Sequence, residues 1–213
     1  MTSLPALSEN YATGLRLMDE AHAQDPKRTS SSSGAGTQEE DLPYELHYAH
    51  KMTRWLGARC PDASPALQLA CRAQHFQRWH IPRDSYPMTR PGYLSWRAKQ
   101  KSQAAAQVAE LLRGPAVQPP LPDAEVERVA ALIRKENLKS DEETQVLEDV
   151  ACLVFLDDQF DAFEQKDEID EDKIVGILRK TWVKMSPRGQ ELSLAMQHSE
   201  RAKVLLGKAL QGA

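Results

Sequence analysis

From Val146 to Phe163 the chain reads VLEDVACLVFLDDQFDAF, and near Val150–Leu156 it is apolar almost all round at helical spacing. A helix with no polar side must be covered on most of its faces, so the rest of the chain has to fold around this one. Asp149 shares a stripe with Leu153, Leu156 and Phe160 and is expected to turn inward with them. A buried carboxylate is costly unless a cation, a metal or hydrogen-bond donors meet it. Asp149 is therefore either half of a structural ion pair or a metal ligand or general base.

The other periodic segments have the same spacing. Tyr11, Leu15, Met18 and His22 mark a first amphipathic helix, and Leu46, Ala49, Met52 and Leu56 a second, from about Pro43 to Arg59. Ser64-Pro65 opens a third, expected to run to about Trp79. Pro91 starts a helix to Leu112, and Asp123 caps another. Ser140–Glu143 reads as a capping box before the long apolar helix. Segments 173–185, 187–197 and 199–210 follow, and no alternating strand pattern is found. The expectation is an all-α, compact single-domain bundle of about eight helices. It divides into an N-terminal helix (1–24), a flexible Ser/Gly-rich insert (25–42) around TSSSSGAGTQEED, and a helical domain (43–213).

With 213 residues, the chain suits one domain. Its net charge of −4 argues against a general nucleic-acid coat. No apolar run approaches the roughly 20 residues that span a bilayer, so no membrane partner is expected. The N-terminus has no signal-peptide pattern. Cys60, Cys71 and Cys152 are odd in number and lack CxxC spacing, which fits neither a disulfide framework nor a zinc ribbon. A cytoplasmic protein is expected.

The positive charge is unevenly placed. In QHFQRWHIPRDSYPMTRPGYLSWR (Gln74–Arg97), Asp84 is the only acid beside Arg78, Arg83, Arg90 and Arg97. That excess suits phosphate or carboxylate recognition, and Tyr86, Tyr93 and Trp96 offer faces for a planar group. The plainer alternative is an aromatic cap with solvated arginines. His75, expected on the third helix beside its buried face, is either a core histidine or a functional one. Glu45 is a further inward candidate on the second helix, and His47 and His50, three apart on it, are either a shared metal pair or surface or half-buried histidines. The basic residues of 134–139 and 178–189 read as complements to helix C-termini.

QHFQRWHIPRDSYPMTRPGYLSWR, RKENLKSDEETQVLEDVACLVFLDDQF and LRKTWVKMSPRG, in this order, resemble the bacterial and fungal family called domain of unknown function 4202, over roughly Leu42 to Leu210. The resemblance implies a compact helical domain. Fungal members of that family are often labelled glutamyl-tRNA synthetase. His80-Ile81 and Lys184-Met185-Ser186 echo fragments of synthetase motifs, but no βαβ pattern is there to support them. A more distant similarity is to helical histidine–aspartate phosphohydrolases, though Phe76 stands where their His-Asp doublet would need an acid.

The combined expectation is a His/Asp/Arg pocket. His75 and Asp149 would be catalytic and, with Glu45 and His50, would hold a divalent metal. Arg78, Arg83, Tyr86, Tyr93, Trp96 and Arg97 would bind a nucleotide or phosphorylated metabolite undergoing phosphoester hydrolysis. The rival expectation is a non-catalytic nucleotide-, RNA- or protein-binding module in which His75 and Asp149 are structural.

Overall fold

The computed structural model describes residues 3–31, 40–159 and 171–211. Nine α-helices lie among them: α1 (Glu9–His22), α2 (Tyr44–Arg59), α3 (Pro65–Arg72), α4 (Arg90–Arg113), α5 (Asp123–Arg134), α6 (Glu142–Val154), α7 (Glu171–Lys184), α8 (Pro187–Leu194) and α9 (Glu200–Leu210). The all-α expectation holds, with more helices than the eight anticipated.

Several helix starts follow from one local device. Ser64, Thr89, Asp141, Ser186 and Ser199 each accept a hydrogen bond from a first-turn backbone N–H, and proline occupies the first turn after Ser64, Thr89 and Ser186. Asp141 caps α6, not Ser140. Asp123 is the first residue of α5 and leaves its cap to Pro122.

Three expectations are corrected. The third helix stops at Arg72 rather than near Trp79, and the chain continues through a left-handed Gln77 (φ 50°) into 3₁₀ turns at Arg78–His80 and Arg83–Ser85. No Gly or Pro marks this stop. A tertiary hydrogen bond accompanies it: Glu45 Oε1 accepts from the Arg78 backbone N–H at 2.6 Å. The apolar helix also ends early, passing at Phe155–Gln159 into a π-helical turn. Finally, the arms of the Ser/Gly-rich insert pair as an antiparallel hairpin, β1 (Arg28–Ser31) on β2 (Glu40–Pro43). Its base is fastened by buried Asp25, which accepts from the backbone N–H of Lys27 at 2.9 Å and of Glu45 at 3.0 Å. Strands this short show no alternation to read. The insert's central residues, 32–39, lie outside the described residues.

Two apolar clusters organise the helices. The larger draws on α1–α6, with Met18, Met52, Leu56, Leu69, Leu112, Ile133 and Leu147 fully or almost fully buried. The smaller packs α7 and α9 against the far end of α6, through Cys152, Leu156, Ile174, Leu178 and Leu205. No helix among the described residues is long and apolar enough to cross a membrane.

Candidate functional site

A cleft of about 990 Å³ opens between these clusters, at the upper end of the size usual for ligand pockets. Arg78 reaches it from the turn after α3, Arg97 and Lys101 from α4, and Lys135 from the end of α5. Arg179, Lys180 and Lys184 come from α7. Among the described residues that line it, Glu148 is the only carboxylate.

Each end is held differently. The Arg78 guanidinium lies over the Trp96 ring, 4.8 Å from its centroid, and Nη1 donates to His75 Nε2 at 2.8 Å. With the backbone N–H bound to Glu45, both main chain and side chain of Arg78 are aimed. Burial, then the charge on Arg97, pull Arg78 below the ordinary guanidinium range. Lys101 is likewise lowered, first by burial and then by Lys135 and Arg97. Among the described residues no carboxylate pairs with Arg78, Arg97, Lys101 or Lys180. At the other end Glu148 accepts from Lys135 Nζ at 2.5 Å and lies 3.7 Å from Lys184 Nζ. Burial alone would raise its pKa, but Lys135 and then Lys184 outweigh that and the net direction is down.

The uncharged groups are settled too. Burial raises the Tyr48 phenol above its ordinary range, and burial followed by Glu148 raises the Cys152 thiol to about 12. Neither ionises at neutral pH, so neither is a ready nucleophile. The His75 ring stacks on Tyr48 with centroids 3.7 Å apart. Arginine offers only protons, so Nε2 must accept and the ring proton sits on Nδ1. Nδ1 is buried and has no hydrogen-bond partner among the described residues.

This arrangement has a pH signature. Burial, then Arg78 and Arg97, hold His75 well below its ordinary pKa. Unfolded, the ring takes up a proton near pH 6.5; folded, it resists. The stability tied to a neutral His75 is therefore fully present above about pH 6.5 and is lost as pH falls toward the folded value. Between pH 7.5 and 5.5 the parent should lose stability in urea unfolding at up to about 1.4 kcal/mol per pH unit from this residue. His75→Gln should flatten that slope. An unchanged slope would show that His75 titrates normally. His50, also lowered by burial first, leaves a residual slope of the same sign.

The expected site residues divide. His75, Arg78, Tyr93 and Arg97 line the cleft. Arg83 instead clasps its own loop, donating to the carbonyls of Tyr86 (3.0 Å) and Pro87 (2.9 Å). Trp96 is 7% exposed and donates from Nε1 to the Ile81 carbonyl at 2.9 Å, a support for Arg78 rather than a stacking face. Tyr86 is half-buried in the loop, outside the cleft lining.

Asp149 is fully buried, as its stripe predicts, but turns away from the cleft. It receives Arg59 Nε at 2.6 Å, Gln145 Nε2 at 2.9 Å, and both the N–H (2.7 Å) and hydroxyl (2.5 Å) of Ser186. Glu148, one residue earlier and a third of a turn round, is the carboxylate that faces the cleft. Glu45 is engaged with His22 and the Arg78 N–H, and His50 is on α2 outside the cleft lining. The expected metal set is thus dispersed, and no group of three His, Cys, Asp or Glu able to hold a metal occurs among the described residues.

A family model described as Domain of unknown function (DUF4202) matches residues 12–206. The chain belongs to that family, and the match begins in α1, well before Leu42. No curated protein and no solved structure matches the chain.

Proposed function

We propose that this member of the DUF4202 family binds a small phosphorylated anion, a nucleotide or a phosphorylated metabolite, in the cleft between its two apolar clusters. The observation that supports this most is the charge imbalance. Among the described residues seven Lys or Arg side chains and one carboxylate line the cleft, Arg179 alone of the seven turning its guanidinium to the Lys208 and Ala209 carbonyls, in a chain whose net charge is −4. Such a concave, like-charged surface concentrates oppositely charged solutes. Arg78, stacked and fixed at its main chain, suits bidentate capture of a phosphate or carboxylate. Phe76, Ala151, Phe155 and Ile177 add an apolar wall, and Tyr93 an exposed ring. A nucleoside or comparable body could rest there while its anionic part meets the cations.

Binding asks less of these groups than hydrolysis does. A hydrolytic reaction needs a base near the bound phosphate, and Glu148, the one lining carboxylate among the described residues, is already committed to Lys135.

The test is thermal unfolding with inorganic phosphate, a purine nucleoside triphosphate, and sodium chloride at matched ionic strength. A ligand at a hundred times its Kd adds about 2.7 kcal/mol to stability. Chloride should not reproduce the stabilisation, and the Arg97→Gln, Lys101→Gln double variant should lose it. If no phosphorylated probe raises the melting temperature, or the double variant responds like the parent, the reading fails.

A further inference from the structure

The cations of the cleft lie in two rows rather than one cluster. Arg97 and Lys101 are four residues apart on α4, and Lys180 and Lys184 are four apart on α7. All four line the same cleft. At that spacing each pair projects from one face of its helix, about 5–6 Å apart at the Cβ atoms. Like charges so placed repel, and no acid at i±3 or i±4 on either helix relieves them. Lys135, next to Lys184 through Glu148, extends the positive strip. Arg78 extends it at the far end.

A single phosphate cannot satisfy charges spread over a helical turn on each of two walls. We infer that the natural ligand carries a chain of two or more phosphoryl groups, laid along the cleft between the α4 pair and the α7 pair. The inference rests on the anion-binding reading and narrows it to polyphosphate chemistry, either a nucleoside di- or triphosphate or an inorganic oligophosphate. Mutual repulsion within the strip accords with this: Lys101 is pulled down by its neighbours Lys135 and Arg97 as well as by burial.

Titration calorimetry with orthophosphate, pyrophosphate and tripolyphosphate, in metal-free buffer at constant ionic strength, tests it on the full chain. Affinity should climb roughly tenfold per added phosphoryl group, the scale of one further charge-assisted contact. In the Lys180→Gln, Lys184→Gln variant the three probes should converge on the orthophosphate value. Both lysines are exposed, and Glu148 keeps Lys135, so the fold should survive. Removing two charges elsewhere, as Lys99→Gln with Arg113→Gln, should leave the series intact.

Equal affinity for all three probes in the parent would overturn the polyphosphate inference while leaving anion binding standing. So would a length series that persists in the α7 variant or collapses in the control variant. Absence of binding by every probe would remove both readings. A purine nucleoside triphosphate binding tighter than tripolyphosphate would support the inference and identify its nucleotide form. Equal affinity of those two would support the inorganic form.

Discussion

Asp149→Ala should lower the free energy of unfolding by about 3–5 kcal/mol, the cost of breaking a buried ion pair from one side. The carboxylate has no exposure, and four donors from three elements converge on it. Without it, Arg59, itself 16% exposed, keeps a charge in the interior with, among the described residues, only the Ser186 hydroxyl at 3.2 Å for company. The start of α8 also loses the acceptor for the Ser186 N–H. Gly189 shows how tightly α8 is drawn in, since a Cβ there would sit 2.8 Å from Asp149 Cγ. Asp149→Asn, which keeps the shape and part of the hydrogen bonding, should lose less. Urea unfolding at pH 7 measures both. If Asp149 served the cleft instead, the alanine variant would fold almost normally and fail to bind. The structure leads to the reverse, a variant that is unstable but binds whenever it is folded.

The second large effect has a built-in opposite. Glycine inside a helix usually costs about 0.5–1 kcal/mol relative to alanine, so replacing it should stabilise. At Gly176, on α7, a Cβ would meet nothing within 4 Å, and Gly176→Ala should gain on that scale. At Gly92, in the first turn of α4, a Cβ would fall 2.1 Å from the Pro87 carbonyl oxygen. Backbone must move there, and overpacking of this kind costs about 1–3 kcal/mol. The loop that has to shift is tied to α4 by the Arg83 guanidinium, which lies 5.9 Å from the Tyr93 ring centroid and 5.7 Å from that of Trp96, and by the Trp96–Ile81 hydrogen bond. Arg78 rests on that same Trp96. Gly92→Ala should therefore lower the melting temperature and also weaken phosphate binding, while Gly176→Ala raises the melting temperature. Two shifts of the same sign would contradict this account of the loop.

What could be read from the chain beforehand was mostly what local chemistry decides. Helix-period stripes located the helices, and Ser64-Pro65 announced a cap the structure contains. The stripe Asp149–Leu153–Leu156 placed a carboxylate in the interior. The shortage of acids between Gln74 and Arg97 pointed to Arg78 and Arg97, both of which line the cleft.

Tertiary geometry decided the remainder. The stop at Arg72 is accompanied by Glu45 reaching across from another helix to the Arg78 N–H, which no local pattern announces. Arg83 and Trp96 look like ligand groups in a sequence, yet both donate to carbonyls of the loop that precedes α4. Lys135 and Lys184 read as ordinary complements to helix ends, because nothing local says that two helix ends face each other. One further signal is legible: the four-residue spacings Arg97/Lys101 and Lys180/Lys184, with no acid three or four residues away, mark cationic faces without a partner on their own helix.

Finally, α6 contributes Leu147, Val150 and Val154 to one apolar cluster, while Cys152 on its other side and Leu156 in the turn that follows it belong to the second. The two interiors share a single central rod. A protein shortened to end just after Leu156 would leave Cys152, Phe155 and Leu156 facing water at the end of that rod, and such molecules would stick to one another. The final helices are therefore not an accessory that evolution or an engineer could trim away; they complete the insulation of the middle.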